Sequence, residues 1–313
     1  MPNDISIVKP NFVQVAQPGI NENQAQTRDA FSSKWKEIDY EVTKTDRGLE
    51  FQKKRYLSLY GFKDEKELYI YLKNCRVVLD AGAGKCKKAA WFAALSPDTI
   101  VVAADISNSL VDAASFYKDK KNLFFVQCDI SSMPFFKDGN FDYVNCDQVI
   151  HHTSDPFETF KELVRVTGIG KELSVYVYRK KALPRELLDD HFREFSKKLS
   201  HEQLLDLSEQ LASLGKMLDS NKEKIDFPEI PILGIEGGKM TIQRYLYWNF
   251  IKCFYNKELG FHNSVMTNYD WYSPSQAFRY TEDEFKSWIK SKHLKETYFI
   301  KERASYSGRF LKN

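Results

Sequence analysis

The chain has none of the cysteine patterns that mark a metal centre or a disulfide framework. Its 313 residues include five cysteines, at positions 75, 86, 128, 146 and 253. None forms a C-x-x-C pair, and no His/Cys cluster has zinc spacing, so a zinc module or dithiol redox centre is excluded. Cys86, Cys128 and Cys146 fall on or beside apolar runs, where cysteine acts as a small hydrophobe. Reduced, structural thiols fit a cytoplasmic setting. An excess of one charge is also missing. Lys and Arg number 46 against 43 Asp and Glu, a net charge of +3, so no strong polyanion partner is implied. The basic runs Lys53-Lys-Arg55, Lys118 to Lys121 and Arg179-Lys-Lys181 read as solvated surface, and only the last lies near the chemistry below. No apolar run reaches membrane length and no signal-peptide pattern opens the chain. There is no internal repeat and no low-complexity tract. Residues 1 to 23 mix Pro, Asn, Gln and Val without periodicity and are expected to form a flexible or extended arm.

Hydrophobic residues make up 42% of the chain and charged residues 28%, enough for a sizeable core in one large domain or a domain with an insertion. From residue 76, strand and helix patterns alternate. Strands are expected at Arg76 to Asp80, Thr99 to Ala104, Leu123 to Gln127, Phe141 to Asn145 and Glu172 to Tyr178. Between them, helices are expected at Lys88 to Leu95, Asn108 to Tyr117 and Asp155 to Val166. This order argues a parallel sheet covered by helices on both faces, with ligands beyond the carboxyl ends of the strands. Four of those ends carry Asp80, Asp105, Asp129 and Asp147. One acid at a strand end is most simply a helix cap; four in sequence point to a ligand.

Two helices are expected before the alternation, through Gln26, Phe31 and Trp35, and from Leu49 to Leu59. After Tyr178 it stops for more than a hundred residues. Helices are expected at Pro184 to Leu199 and His201 to Leu218, then a loop at Asp226 to Gly238. Residues 245 to 285 hold 13 aromatics, far above the 14% average. Thr281-Glu-Asp-Glu284 reads as a capping box. Lys295 to Lys301 and Ser305 to Leu311 read as a closing hairpin.

The sharpest motif is Val77-Val-Leu-Asp-Ala-Gly-Ala-Gly84, a strand that delivers Asp80 and then opens a glycine turn. A dinucleotide fingerprint G-x-G-x-x-G would need glycine at 87, where this chain has Lys87. A carboxylate two residues before Gly82 also suits an ammonium and a ribose diol better than a pyrophosphate. A nicotinamide oxidoreductase is therefore disfavoured.

These residues resemble the class I S-adenosylmethionine (SAM)-dependent methyltransferases over about residues 75 to 180. The resemblance implies SAM as cofactor. It also implies a Rossmann-like, doubly wound α/β fold with a mostly parallel seven-stranded sheet. A C-terminal antiparallel hairpin and a large helical insertion after the fifth strand would complete it. In that family Asp80, Gly82 and Gly84 would lie against the methionine part. Asp105 would take the ribose hydroxyls and Ile106 would pack on adenine. Asp129 and Ile130 would sit at the adenine edge, and Asp147 beside the transferring methyl. Cys86 stands where many members have a third glycine. Gln26-Thr-Arg-Asp-Ala-Phe31 with Trp35, Tyr178-Arg-Lys-Lys181 and Tyr269-Asp-Trp-Tyr-Ser-Pro274 resemble a bacterial subset associated with sugars and small molecules.

His151 and His152 follow the fourth strand, where a hydroxyl nucleophile would want a base; the plainer role is capping the Thr153-Ser-Asp-Pro turn. Phe31 and Trp35 are expected to fold over the cofactor, or to pack a helix on the sheet. Tyr178, Arg179, Lys180 and Arg185 are expected to meet substrate, or to cover a helix start. Asp270, Trp271 and Tyr272 are expected in a loop facing the ligand. The division expected is a lid and arm at 1–60, a cofactor core at 61–180, a substrate lid at 181–292 and closing strands at 293–313. The leading reading is methyl transfer to an O or N of a small molecule, such as a sugar derivative, with no membrane and no strong sign of nucleic acid. Two readings compete: an RNA or protein methyltransferase, and a silent SAM-fold scaffold. The first lacks a nucleic-acid module and an N-P-P-Y/F tetrad, for the fourth strand continues as Asn145-Cys-Asp-Gln148. The second would have broken acids.

Overall fold

The computed structural model describes residues 5–16, 21–37 and 46–313. In chain order the elements begin with β1 (Ile5–Lys9), β2 (Phe12–Val15), α1 (Glu22–Glu37), α2 (Asp46–Tyr60) and α3 (Glu65–Lys73). The alternating part is β3 (Val77–Ala81), α4 (Lys87–Leu95), β4 (Ile100–Asp105), α5 (Ser109–Phe116), β5 (Leu123–Gln127), β6 (Phe141–Cys146), α6 (Pro156–Val166) and β7 (Thr167–Arg179). A mostly helical stretch follows: α7 (Leu183–Ser196), α8 (His201–Asp219), β8 (Ile225–Phe227), β9 (Gly238–Met240), α9 (Ile242–Asn249) and α10 (Gly260–Tyr272). The chain closes with β10 (Arg279–Tyr280), α11 (Glu282–Ser291), β11 (Leu294–Lys301) and β12 (Ser305–Lys312).

The main sheet runs β1-β2-β5-β4-β3-β6-β7-β12-β11, with β10 added to the end of β7. Strands β2 to β7 are mutually parallel, while β12 runs antiparallel to both of its neighbours, β7 and β11, giving the C-terminal antiparallel hairpin the resemblance implied. The count differs. Seven strands stand together in it, but the hairpin β1–β2 and the short β10 bring the sheet to ten. Residues 5–15 are therefore extended, as one form of the expected arm, but paired into the sheet. Phe12 is 1% exposed and packs among the core aromatics, and Asn11 accepts a hydrogen bond from the Phe125 amide at 2.8 Å. Two strands of four and five residues are too short for their alternation to register beside Pro10.

Alternate residues along the strands point to opposite faces, so each strand feeds two cores. Val78, Val101, Ala103, Phe125 and Tyr143 meet α2, α3, α4 and α5, where Tyr60, Leu68, Leu72 and Phe92 are buried. Leu79, Val102, Ala104, Val144 and Val175 face Phe160 and Leu163 of α6 and Phe285 and Trp288 of α11. Burying one such side chain contributes about 1.5–3 kcal/mol. Helix α11 thus belongs to the sheet layer although its sequence lies inside the span 181–292. Helix α6 opens where expected, with Asp155 accepting from the Phe157 and Glu158 amides and Pro156 in the first turn. The Thr281 capping box forms with Glu284. All five cysteines are buried free thiols.

Two local expectations fail. The loop expected at 226–238 is bracketed by a two-stranded ribbon, β8 with β9. Asp270, Trp271 and Tyr272 do not sit in a loop; they form the last turn of α10. That helix has no side-chain cap at its start, so nothing local announced it.

Among the described residues no helix is long and apolar enough to cross a membrane.

Candidate active site

The carboxyl ends of β3, β4, β5 and β6 converge under a cavity of about 1050 Å³. One wall is the turn after β3. Gly82 has φ of 79° and Gly84 φ of 52°, backbone that glycine adopts freely. A Cβ on Gly82 would stand 2.3 Å from Val149 Cγ1, so no side chain fits. The Gly82 and Ala83 amides donate to the Ala104 carbonyl at 2.7 and 3.0 Å, tying the turn to β4. Cys86 holds φ of 57° where the family often has glycine, and its side chain is buried. That backbone costs a side-chain-bearing residue about 1–2 kcal/mol.

The acids stand at different depths. Asp80 is buried behind the cavity wall. Its Oδ1 accepts from Asn145 Nδ2 at 2.6 Å, and its Oδ2 is buried without a hydrogen bond among the described residues. Burial raises its pKa, against the pull of Lys88. Asp105 borders the cavity; its two oxygens accept the Ser107 and Gly84 amides, each at 2.8 Å. Burial raises its pKa too, and the Ser107 hydrogen bonds work against this. Ile106, Asp129 and Ile130 line the same end. Asp129 Oδ1 accepts from the Ser131 amide at 2.8 Å. Asp147 lines the cavity but is already engaged: Lys88 Nζ lies 2.6 Å from Oδ2, and Tyr60 donates to Oδ1 at 2.7 Å. Burial opposes its charge, yet Lys88 with the Tyr60 and Gln148 hydrogen bonds outweighs this and holds the pKa below the usual carboxylate value.

The two histidines part company. The turn Ile150–His152 turns His152 to the cavity, while His151 is fully buried with its ring 3.6 Å from that of Tyr178. Burial, then His152, holds His151 well below the ordinary histidine value. His152 Nδ1 lies 2.6 Å from the Gln276 carbonyl oxygen. A carbonyl only accepts, so Nδ1 carries the proton and Nε2 is the basic nitrogen. Burial pushes its pKa down to about 3. Phe31 of α1 lies edge-on to this ring at 5.0 Å and lines the cavity. Trp35 follows on α1, its side chain outside the described residues.

Helix α1 is fastened across the chain. Gln26 Nε2 donates to the Ser273 carbonyl at 2.8 Å, and its Oε1 accepts from the Ser275 amide at 2.7 Å. Lys34 Nζ reaches Asp270 Oδ2 at 2.7 Å. Asp270 and Trp271 border the cavity, but Tyr272 does not. Its ring is buried against α7 and α8, and its hydroxyl donates to Asp189 at 3.0 Å, because the helical twist turns it away.

Of the basic run after β7, Arg179 and Lys180 are spent elsewhere. Arg179 pairs with Glu236 at 2.5 Å and Lys180 with Glu284 at 2.9 Å, both away from the cavity. Tyr178, Lys181 and Arg185 do line it. Sequence reasoning passed over Lys88, Lys181, Lys252, Asn145 and the Gln26 clamp. Lys181 ends the run Arg179-Lys-Lys181, which looked like solvated surface, and Lys88 opens an expected helix with nothing in the sequence to tie it to Asp147.

These residues fit SAM. A turn with no room for a Cβ, carboxylates at the ends of β4 and β5, and a buried orphan oxygen on Asp80 suit hydroxyl, amine and ammonium donors. Residues 79–174 match the family model described as a methyltransferase domain, and that span carries every strand-end acid and both histidines. No curated protein matches the chain. Among solved structures, it is similar to a Burkholderia thailandensis 1,6-didemethyltoxoflavin-N1-methyltransferase with S-adenosylhomocysteine bound. Identity there is 12% over 99% of each chain, with a TM-score of 0.46. It is also similar to PKMT2 from Rickettsia typhi in complex with AdoHcy, 17% identical over 72% of this chain and 40% of that one, with a TM-score of 0.46. An Aquifex aeolicus SAM-dependent methyltransferase is 23% identical over 47% of this chain and 73% of that one, with a TM-score of 0.36. The site and the matched domain define the class: a transferase that uses SAM. The protein is a SAM-dependent methyltransferase, and SAM is its cofactor.

Proposed function

We propose that the protein methylates an oxygen or nitrogen of a small molecule, with sugar derivatives the first class to test. The observation that supports this is the single cavity running from Gly82 and Asp105 to Trp271 and Met266 beneath α1. A cavity of about 1050 Å³ bordered by α1 and α10 suits a cofactor beside a small acceptor better than a polymer chain. When bound, SAM supplies a methyl already activated on a sulfonium.

The remaining work falls to the chain. Gly82, Gly84 and Asp80 form the seat for the amino-acid end, and Asp105 with Ile106 the seat for the ribose and adenine. Asp129 and Ile130 close the adenine edge, and Asp147, held by Lys88 and Tyr60, supports the wall next to the reacting centre. Phe31 covers the site from α1. His152 Nε2 takes the acceptor's proton, and His151 supports it through Tyr178. Tyr178 and Trp271 offer ring faces to the acceptor, with Arg185 and Asp270 beside them. Residues 61–180 serve the cofactor; of the spans expected as lid, α1, α7, α9 and α10 border the acceptor, while β1, β2 and α11 belong to the sheet layer that 293–313 closes.

The test is calorimetric titration with SAM and S-adenosylhomocysteine, followed by methyl-transfer assays on phosphorylated and nucleotide-linked sugars. Binding of both compounds with turnover of a sugar supports the reading. Turnover confined to RNA or protein overturns it.

A further inference from the structure

Three cationic side chains surround one indole at the α10 end of the cavity. Lys252 Nζ lies 4.7 Å from the centre of the Trp271 ring, the Arg185 guanidinium 5.3 Å, and Lys181 Nζ 5.9 Å. All three line the cavity. Arg185 and Lys252 are 1% and 7% exposed. Charges buried this deeply normally come with partners. Two acids are at hand: Asp189 Oδ2 lies 2.7 Å from Arg185 Nε, and Glu186 accepts the Lys181 backbone amide at 2.7 Å while its other oxygen pairs with Arg279 at 2.6 Å. Lys252 Nζ reaches only the Tyr247 hydroxyl, at 3.1 Å. Lys181 Nζ donates to the carbonyls of Arg179 and Ala304. Neither lysine has an ion-pair partner among the described residues. Trp271 Nε1 is buried there without a hydrogen bond.

The ring faces reduce the cost of the two extra charges without cancelling it. Burial, then the nearby Arg185, pulls the Lys181 pKa down to about 7, as expected where positive charge is crowded. A further acid that borders the cavity, Asp270, is already paired with Lys34 on α1.

We infer that this end of the cavity binds an anionic group of the methyl acceptor, a phosphate or a carboxylate, through Lys181, Lys252 and Trp271 Nε1. The inference rests on the small-molecule reading above and adds the charge of the acceptor. Arg185, locked by Asp189 and by the Tyr247 carbonyl, braces the site. The anion supplies the charge the two lysines lack, and the acceptor's apolar part lies toward Trp271 and Tyr178. A neutral acceptor would leave both lysines buried and unpaired.

The experiment is calorimetric titration of the full chain with phenyl phosphate, benzoate and neutral benzyl alcohol. Wild type, Lys252→Met, Lys181→Met and Lys252→Arg are compared, each also titrated with S-adenosylhomocysteine. The expected result is that phenyl phosphate or benzoate binds at least tenfold more tightly than benzyl alcohol. Each Met variant should lose tenfold or more of that affinity, and Lys252→Arg should keep most of it. The stronger of the two anions identifies the head group. Unchanged S-adenosylhomocysteine affinity shows that a variant has kept its fold. Anion binding that equals benzyl alcohol, or that survives both Met variants, overturns the inference. If S-adenosylhomocysteine fails to bind wild type, the cofactor reading falls, while the anion comparison still decides this one.

Discussion

Lys88 Nζ and Asp147 Oδ2 form a buried ion pair of 2.6 Å in the cavity wall, joining the first turn of α4 to the end of β6. Removing one partner strands the other in a low dielectric. Lys88→Met should destabilise the fold by about 3–5 kcal/mol, read as a fall in the urea midpoint. Both signs of pH dependence follow. The Asp147 pKa is lowered, so its contribution is present above the ordinary 3.8 and is lost as pH falls through the lower folded value. For Lys88, burial lowers the pKa, but Asp147 together with Asp80 more than restores it. Its contribution is therefore present below the ordinary 10.5 and is lost as pH rises through the higher folded value. Stability independent of Lys88→Met would show that the pair contributes nothing net.

Asp105 accepts two backbone amides and borders the cavity. Asp105→Ala should weaken SAM binding by about 10- to 100-fold, the worth of one or two hydrogen bonds to a charged acceptor. Calorimetry reads this directly, and an unchanged affinity would sink the ribose assignment.

His152 and His151 both have lowered pKa values, chiefly through burial, and His152 reaches about 3. A histidine of this kind stabilises the fold fully above its unfolded value of 6.5. The contribution shrinks as pH falls, because the unfolded chain takes up the proton first. Stability should drop by up to about 1.4 kcal/mol per pH unit for each ring below that point. Urea midpoints at pH 7 and pH 5 measure it, and His152→Gln should flatten the curve. The same variant should lower kcat while S-adenosylhomocysteine affinity holds. Undiminished turnover would remove His152 as the base.

Gly82 cannot take a side chain while Val149 stands against it. Gly82→Ala should abolish most SAM binding, and Val149→Ala in the same chain should recover only part. The Cβ that alanine keeps at 149 still stands 2.7 Å from the added methyl, and the positive φ of 79° stays strained. Full recovery would show that space alone, and not backbone conformation, sets the requirement.

Gln26 makes both of its amide hydrogen bonds to the segment after α10. Gln26→Ala should speed hydrogen exchange in residues 21–37 and raise the acceptor KM more than it lowers kcat. Exchange rates equal to wild type would show that Lys34 and Asp270 suffice to hold α1.

Most of the sheet could be read in the chain, because each of β3, β4, β5 and β6 pairs an apolar run with an acid or a turn that ends it. The closing hairpin showed for the same reason. The features missed depend on distant partners. Strand β2 exists because β5 offers it an edge more than a hundred residues away. Tyr272 was expected in a ligand-facing loop with Asp270 and Trp271; it lies instead in the last turn of α10, which turns its hydroxyl to Asp189. Arg179 and Lys181 look alike in sequence, and only the placement of Glu236 assigns one to the surface and leaves the other in the cavity. Charges are poorly legible in a sequence because their roles depend on which acid folds beside them.

The position of β12 between β7 and β11 governs how the chain can be made. Synthesis passes from Tyr178 to Ser305 before the edge of β7 receives its partner. Throughout that interval a buried-type strand with Leu173, Val175 and Val177 presents unpaired amides and carbonyls. A ribosome delivers about 5–20 residues each second, so the exposed edge lasts for several seconds. Helices α7 to α10 emerge during that time. The nascent protein is thus most vulnerable to edge-to-edge association after its cofactor core has formed and before its last hairpin arrives.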